Sequence, residues 1–300
     1  MAKPFYHGGQ AVIEGVMMRG REKVAICVRR PDGQLELTRQ SLPNIYKGRL
    51  REMPFVRGIV VLIETMVLGT KALLHSAQVA AAEEEEEKIS PVLLWGTMAA
   101  SIAFAVALFF IVPLFTTQYF VYPYLNSAVL SNLVEGLIRI GIFIAYLKVI
   151  GLVPDIKRVF AYHGAEHKVV NAYEAGVPLE VGAVKSYSTA HPRCGTSFVF
   201  IVLIISIIVF SLFGWPSLWL RLLSRILLIP VIAAVSYEIM KFGASHIKNI
   251  VMRILLAPGL ALQAMTTREP DDSQLETAIS ALNEVIEADE TADSGYDTQQ

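Results

Sequence analysis

Apolar residues along the 300-residue chain are gathered into long blocks that are separated by short polar segments. No Asp, Glu, Lys or Arg occurs between Lys88 and Glu135, and none occurs between Arg193 and Arg221. Because a helix needs about 20 apolar residues to cross a bilayer, these blocks indicate transmembrane helices rather than one large soluble core. The four predicted spans are residues 92–115, 133–153, 196–213 and 218–242.

The first 57 residues have a different pattern, which is polar, basic and partly alternating. They contain 11 Lys and Arg against 5 Asp and Glu. Two alternating segments flank Pro31-Asp32-Gly33, a strong turn signal, and predict a β-hairpin. The predicted fold class is therefore a polytopic α-helical membrane protein with about four transmembrane helices. It has a small cytoplasmic α+β part, residues 1–57, that contains an N-terminal β-hairpin.

Residues 58–82 show helical periodicity before the first long apolar block. Glu64 and Lys71 are seven residues apart and share one face of such a helix. This predicts an amphipathic helix that lies on the membrane surface or packs against the helix bundle, and a true span is an alternative. The acidic residues 83–90 are expected to form a solvated linker.

The chain beyond the last predicted span is acidic and partly helical. Ser273 and Glu276 make a capping box ahead of a periodic apolar stripe, which predicts a soluble helix that packs on the protein's own cytoplasmic part. The remaining predicted segments are two transmembrane helices at 91–154, a cytoplasmic loop at 155–195, two transmembrane helices at 196–242, cytoplasmic C-terminal helices at 243–288 and a disordered tail at 289–300.

Lys and Arg are distributed unevenly among the segments that flank the predicted spans. Residues 116–132 contain none, whereas residues 155–195 contain five. By the positive-inside rule, both termini and the 155–195 loop are expected in the cytoplasm. The net charge of −1 gives no overall field that would attract nucleic acid. The two cysteines make no disulfide framework and are expected in a reducing compartment.

Candidate chemistry is concentrated in the 155–195 loop, where YHGAEH contains His163, Glu166 and His167. Residues four apart lie on the same face of a helix, so the two histidines can bind one metal ion. H-x-x-E-H is the inverted zincin motif, in which the histidines bind zinc and the glutamate is the general base. The motif predicts a divalent metal site, with zinc as the expected ion and Glu166 as the catalytic base. Gly164 counts slightly against the helix.

A second cluster follows in HPRC, where His191 and Cys194 are three residues apart. This spacing is compact enough to chelate zinc, so it adds two potential ligands to His163 and His167. Four ligands would close a structural site, whereas three ligands and a water would leave a catalytic site open. Two alternatives are Cys194 as a nucleophile with His163 or His191 as its base, and buried, hydrogen-bonded histidines without a metal.

Three residues near these motifs are further candidates. Asn171 and Glu174 continue the stripe of His163 and His167 along the predicted helix, and Arg193 could hold an anionic group.

Three more candidates lie elsewhere in the chain. Glu238, near the cytoplasmic end of the fourth predicted span, could complete the metal shell or pair with Lys241. Glu14 and Arg19 lie in a glycine-rich segment and could line a site. A glycine-punctuated strand and loop is the simpler interpretation of that segment.

Four long motifs resemble those of the YqhQ-like bacterial membrane proteins, a domain family of unknown function. The motifs are GGQAVIEGVMMRG, YHGAEHKVVNAYEAG, HPRCGTSF and TTREPDDSQLETAISAL. The resemblance covers residues 6–285 and implies a multi-pass protein of the bacterial inner membrane. Members of the family are described as candidate metal-dependent enzymes. The residues that match the family's motif are His163, Glu166, His167, His191 and Cys194.

Together these features predict a hydrolase with a cytoplasmic zinc site that acts near the membrane, on a peptide at the bilayer or a lipid-linked molecule. The alternative is a non-catalytic assembly or scaffold factor with a structural metal or none. Its basic N-terminal part and acidic C-terminal helix would bind a membrane-protein or cytoplasmic partner. A solute transporter is a third hypothesis, against which the short loops and the lack of paired broken helices count. The bilayer is an expected partner and nucleic acid is not.

Overall fold

The computed structural model describes residues 7–81, 91–125, 127–212, 214 and 217–297, so the predicted linker at 83–90 lies outside the described residues. The chain divides into two compact units. Unit 1 comprises Met1–Glu87, Gly151–His191 and Leu260–Gln300, and unit 2 comprises Lys88–Ile150 and Pro192–Gly259.

Helices dominate the described part of the chain, together with one small sheet. The strands are β1 (Gly8–Val12), β2 (Gly15–Arg19), β3 (Lys23–Arg29) and β4 (Leu35–Ser41). The α-helices are α1 (Val56–Ala80), α2 (Pro91–Val106), α3 (Val112–Phe120), α4 (Tyr122–Leu125), α5 (Ala128–Ile150), α6 (Pro154–Glu174), α7 (Val181–Val184), α8 (Gly195–Leu212), α9 (Leu218–Leu227), α10 (Ile229–Ser245), α11 (Ile250–Thr266) and α12 (Asp272–Asp297). A π-helical segment, Ala107–Ile111, joins α2 to α3, and short 3-10 turns lie at Asn44–Tyr46 and Arg49–Arg51.

The sheet of unit 1 is an antiparallel meander in the order β1-β2-β3-β4. The predicted hairpin is confirmed as β3–β4, whose turn holds Gly33 at a φ of +85°. Glycine adopts this left-handed conformation without steric cost. The glycine-rich segment before it forms a second hairpin, β1–β2, so the sheet is larger than the single hairpin that the sequence predicted.

Helices cover both faces of this sheet. Successive residues of a strand point to opposite faces. In β2, Met17 is buried in a cluster with Leu68 of α1, whereas Val16 and Met18 are buried in a second cluster. The second cluster is completed by residues of α6 and α12: Tyr162, Ala165, Val169, Leu275, Ala278, Leu282 and Val285.

Helix α1 carries apolar residues on more than one face. One stripe, which includes Leu68 and Ala72, is buried against the sheet. Other faces expose Ile63 and Met66, by 51% and 64%. The sequence left open whether this helix lies on the membrane, packs on a bundle or crosses the bilayer; its packing partner within unit 1 is the sheet.

Helix α12 packs its apolar stripe on the protein's own sheet, and Leu275 and Leu282 are fully buried. Its described residues continue to Asp297, beyond residue 288 where the sequence placed the end of the helices. Asp289, assigned to the disordered tail, is buried and bonded to His7 at 3.1 Å and to the amide of Arg21. This anchoring gives the physical reason for the longer helix.

Unit 2 consists of apolar helices, of which α5 packs on α8 and α8 packs on α10. Gly136 of α5 lies so close to α8 that a Cβ there would overlap the side chain of Ile207. A charged cluster is buried among these helices. Glu135 accepts hydrogen bonds of 2.6 Å from both Arg139 and Arg225, and all three side chains are at most 5% exposed.

Among the described residues, three helices are long and apolar enough to cross a membrane, and up to five candidates exist if each bent pair of helices is one span. The three are Val56–Ala80, Trp95–Phe120 and Gly195–Leu212. The predicted span at 218–242 is not one straight helix, because it bends by 46° between α9 and α10. Pro230, in the first turn of α10, lacks the amide hydrogen that would continue α9. The predicted span at 133–153 corresponds to α5, which passes the same test only together with α6.

Candidate metal centre

Helix α6 places the H-x-x-E-H residues on one helix, as the sequence predicted. It begins with Pro154 in its first turn, after an extended Val153, and ends before Gly176, which has a φ of +72°. Proline is favoured in the first turn and glycine after the last one. The rings of His163 and His167 are consequently neighbours, with centroids 4.4 Å apart.

Both histidines of this pair use the same ring atom to contact the backbone. Nδ1 of His163 lies 2.8 Å from the carbonyl oxygen of Thr266, and Nδ1 of His167 lies 2.6 Å from that of Thr189. Since a carbonyl only accepts, the hydrogen of each neutral ring belongs on Nδ1. Nε2 of each ring then carries the lone pair. Histidines that bind metals have this arrangement, in which a backbone acceptor fixes the tautomer and the orientation of the ring.

Cys194, a further predicted ligand, belongs to unit 2, whereas His163 and His167 belong to unit 1. Within unit 1, the neighbouring rings of the two histidines offer two ligand atoms to one ion. The backbone N–H of Thr196 donates to Sγ of Cys194 at 3.3 Å, a contact that also suits a thiolate ligand.

Glu166 is buried beside this group and is held by strand β1. Its Oε1 accepts a hydrogen bond of 2.9 Å from the backbone N–H of Gly9, and its Oε2 lies 3.4 Å from Nε2 of His167. A Cβ on Gly9 would lie 3.0 Å from Cγ of Glu166 and 2.9 Å from Sδ of Met18. The glycine thus lets the strand backbone approach the carboxylate closely enough to bond it.

Gly164 has a role that the sequence did not reveal. A Cβ at this position would overlap the carbonyl oxygen of Arg268 and lie 3.3 Å from Cγ2 of Thr189. The chain segments that supply the acceptors for His163 and His167 therefore cross α6 at this glycine. Its small cost in helix propensity is offset by the close approach that it permits.

His191 lies next to the pair of histidines within unit 1. Its ring centroid is 5.7 Å from that of His167, and its Nε2 lies 3.7 Å from Oε2 of Glu174. Gln263, which is fully buried, brackets the backbone of His191 with two hydrogen bonds of 2.8 Å, one to the N–H and one to the carbonyl. Within unit 1, the structure thus places His191 beside the pair of His163 and His167.

Asn171 holds the backbone near the site and offers no ligand atom to the described group. Its Nδ2 donates to the carbonyl oxygens of Ser188 and Ala190, at 2.9 and 3.1 Å. These residues flank Thr189, the acceptor for His167. Asn171 is therefore a positioning residue for the loop that fixes His167.

Glu14 and Arg19 form ion pairs within unit 1. Glu14 lies in the β1–β2 turn at a φ of +52° and binds Arg158 through two hydrogen bonds of 2.6 and 2.5 Å. These bonds raise the pKa of Arg158. Arg19 donates to Glu64 of α1 at 2.8 Å, on the sheet face opposite to α6. Neither residue belongs to the histidine group.

Arg193 and Glu238 belong to unit 2. Arg193 is half-buried in the turn before α8, and Glu238 is half-buried on α10. The described group of metal-ligating atoms does not include Glu238.

Sequence reasoning missed Thr189, Thr266 and Gln263, the residues that hold the histidines in place. Two of them act through backbone carbonyls, which any residue type carries, so no spacing or composition could have revealed them. Gln263 lies in an apolar stretch of α11, and this polar amide among apolar residues was the one signal in the sequence. In the structure Gln263 is fully buried.

The fold and the site define a class: helical proteins with several candidate membrane spans, a small antiparallel sheet and a His/Cys group. The family model described as a protein of unknown function, DUF1385, matches residues 53–288, so the chain belongs to this family. The uncharacterised protein YqhQ of Bacillus subtilis (strain 168) is 35% identical in an alignment of 299 positions that covers 94% of this chain and 93% of that protein. The predicted YqhQ-like family is thereby confirmed. No solved structure matches the chain.

Proposed function

We propose that the protein is a metal-dependent hydrolase of the bacterial inner membrane, with zinc held by His163, His167 and Cys194 on the cytoplasmic side. The observation that carries the proposal is the identical anchoring of both histidines, whose Nδ1 atoms contact backbone carbonyls at 2.8 and 2.6 Å. This leaves both Nε2 atoms as ligands. Histidines buried for packing alone have no need of a common orientation four residues apart.

Glu166 is the proposed general base. A zinc ion bound at this site would supply Lewis acidity and lower the pKa of a coordinated water to about 7. Oε1 of Glu166 is committed to the N–H of Gly9, whereas Oε2 faces His167. Oε2 is therefore the atom that accepts a proton from the attacking water, and the bond from Gly9 holds the carboxylate in place while it does so.

Two features support a catalytic site over a structural one. The proposed set of two histidines and one cysteine would leave a fourth tetrahedral position for water, as catalytic zinc sites do. His163 is half-buried, whereas His167 is buried, so the pair of histidines has one partly exposed edge. A substrate can approach along that edge.

A substrate close to the bilayer, such as a membrane peptide or a lipid-linked molecule, fits the order of the chain. Helix α5, an apolar candidate for half of a bent span, ends at Ile150, and α6 with the metal-binding motif begins at Pro154. The intervening linker of three residues keeps the site near that helix in the chain.

The scaffold alternative loses one of its supports. Its acidic C-terminal helix would bind another protein. Leu275 and Leu282 of the apolar stripe are fully buried against the protein's own sheet, so this stripe is not offered to a partner.

The metal content of the purified full-length protein tests the first part of this proposal. Elemental analysis of protein in detergent is expected to find about one zinc per chain in the wild type and a large loss in His167→Ala. His246→Ala is the matched control, since His246 is exposed at the end of α10 and its ring contacts the neighbouring Ser245 and Phe242. A metal-free wild type, or equal metal in all three proteins, contradicts the proposal.

Glu166→Gln separates catalysis from structure. The amide keeps the shape of the side chain and an acceptor for the N–H of Gly9 but cannot take a proton. We expect full zinc content, an unchanged melting temperature and the cellular phenotype of a deletion strain. If Glu166→Gln restores a deletion strain as well as the wild type does, the metal site is structural.

A further inference from the structure

Unit 1 contains an open cavity of about 610 Å³, which is lined in part by α6, the helix of His163 and His167. It lies along the first turns of α6 and against the segment that joins α11 to α12. The residues that line it include Leu152, Lys157, Arg158, Ala161, Arg268 and Gln274. His163 is two residues beyond Ala161 on the same helix, and its carbonyl partner, Thr266, is two residues before Arg268.

Three of the five charged side chains at this cavity already have ion-pair or hydrogen-bond partners within the protein. Arg158 is bound to Glu14 by two hydrogen bonds. Glu269, which also lines the cavity, pairs with Lys168 at 2.6 Å. Asp271, the second acid, caps α12 by accepting from the N–H of Gln274 and the hydroxyl of Ser273, at 2.9 and 2.7 Å.

Lys157 and Arg268 are the remaining two charged side chains that line this cavity, and both are cationic. Both are exposed, and neither side chain pairs with any residue in the part of the chain that the structure describes. The backbone N–H of Arg268 donates to the carbonyl of Phe160 at 2.9 Å, which fixes the arginine against α6. The cavity is therefore suited to an anion. The planar guanidinium group of an arginine and the ammonium group of a lysine can both donate hydrogen bonds to phosphate oxygens.

The same cavity has an apolar side. Leu152 lines it and is 70% exposed, and the adjacent Val153 is 45% exposed. Both lie in the short linker after α5, a candidate for half of a bent membrane span. Two unpaired cations can bind the phosphate of a lipid, and the adjacent exposed aliphatic side chains can contact its acyl chain. A free phosphate would use only the cations.

We propose that this cavity binds the headgroup phosphate of an anionic membrane lipid, with Lys157 and Arg268 donating to the phosphate oxygens and Leu152 contacting the acyl chain. The inference rests on the proposed function and narrows its substrate class to a phosphate-bearing lipid. The lipid would bind at the first turns of α6, the helix that also carries His163 and His167.

Native mass spectrometry of the full-length protein, released from uncharged detergent and titrated with phosphatidylglycerol, tests this site. We expect the wild type to bind one phosphatidylglycerol more tightly than phosphatidylcholine. The double variant Lys157→Gln/Arg268→Gln should bind it about tenfold more weakly, because it loses charge-assisted hydrogen bonds. The matched control is Lys23→Gln/Arg49→Gln, which removes the same charge at exposed positions outside the cavity. The control should bind like the wild type.

Thermal unfolding curves check that both proteins are folded. If the wild type and the cavity variant then bind phosphatidylglycerol with equal affinity, the proposal is overturned. Displacement of the lipid by an equal concentration of inorganic phosphate also overturns it, because the site then takes free phosphate. Glu166→Gln should bind lipid normally, since Glu166 does not line the cavity. Lipid binding by a protein without metal would leave the lipid site standing while the proposed hydrolase fails. A protein that contains metal but does not bind lipid at this cavity would reject the lipid site alone.

Discussion

Two glycines set how closely the backbone can approach the H-x-x-E-H residues. Gly9 lets β1 donate its N–H to Glu166, and Gly164 lets the segments of Thr189 and Arg268 cross α6. Neither glycine has a positive φ, so their role is lack of a side chain and not an unusual backbone conformation. Any larger residue would push away the backbone atoms that orient the site.

Gly164→Ala is expected to weaken metal binding without unfolding the protein. The added methyl group overlaps the carbonyl of Arg268 and crowds Thr189, so the backbone acceptors of His163 and His167 must move. Loss of such outer contacts costs about 10–100-fold in metal affinity. Competition with a chromophoric chelator measures this affinity. Gly182→Ala is the matched control, because nothing lies within 4 Å of a Cβ there; equal effects of the two substitutions would contradict the explanation.

At the scale of elements, the sequence predicted those helices and turns whose signals are periodicity and local turn residues. The spacing of His163 and His167 placed them on one helix, and Pro31-Asp32-Gly33 placed the β3–β4 turn. The second hairpin was missed because the glycines of β1 and β2 indicated turns as strongly as strands. Contacts of Glu166 with Gly9, and of His163 with Thr266, join segments 157 and 103 residues apart, and no local pattern encodes them.

The buried charges of unit 2 connect three of its helical segments. Glu135 of α5 bonds both Arg139 of its own helix and Arg225 of α9. Arg139 also donates to the carbonyl of Phe109 in the π-helical segment at 2.9 Å, where the wider turn exposes that oxygen. The carboxylate therefore compensates two buried guanidinium groups at once.

Glu135→Gln should strongly destabilise the protein. It leaves Arg139 and Arg225 buried without a counter-charge, and breaking a buried pair in this way costs about 3–5 kcal/mol. The midpoint of thermal unfolding in detergent should fall well below that of the wild type. Glu287→Gln makes the same chemical change at an exposed position of α12 and should have no such effect. A normal midpoint for Glu135→Gln would show that the cluster contributes nothing to stability.

At the scale of the whole molecule, the distribution of Lys and Arg predicts an orientation that is open to direct measurement. A membrane-impermeant maleimide applied to intact cells should label Tyr124→Cys, in the segment after α3, and should not label Ser186→Cys, in the loop after α7. Tyr124 is 82% exposed and Ser186 is exposed. Permeabilised cells should show both labels. Labelling of Ser186→Cys in intact cells reverses the orientation.

The native cysteines should add little background to this measurement. Burial raises the pKa of the Cys27 thiol to about 12, so the reactive thiolate is scarce at neutral pH. Cys194 is only 6% exposed. The wild-type protein, labelled in parallel, measures the background labelling of the two native cysteines.

The order of the contacts along the chain also sets when the site can form during synthesis. The hairpins of the sheet need only neighbouring residues and can close early. His163 must wait for the carbonyl of Thr266, which leaves the ribosome 103 residues later, and the α12 side of the sheet stays uncovered until Leu282 has emerged. The candidate site is therefore completed only after all the candidate spans have been translated, and a partly synthesised chain lacks the acceptor that orients His163.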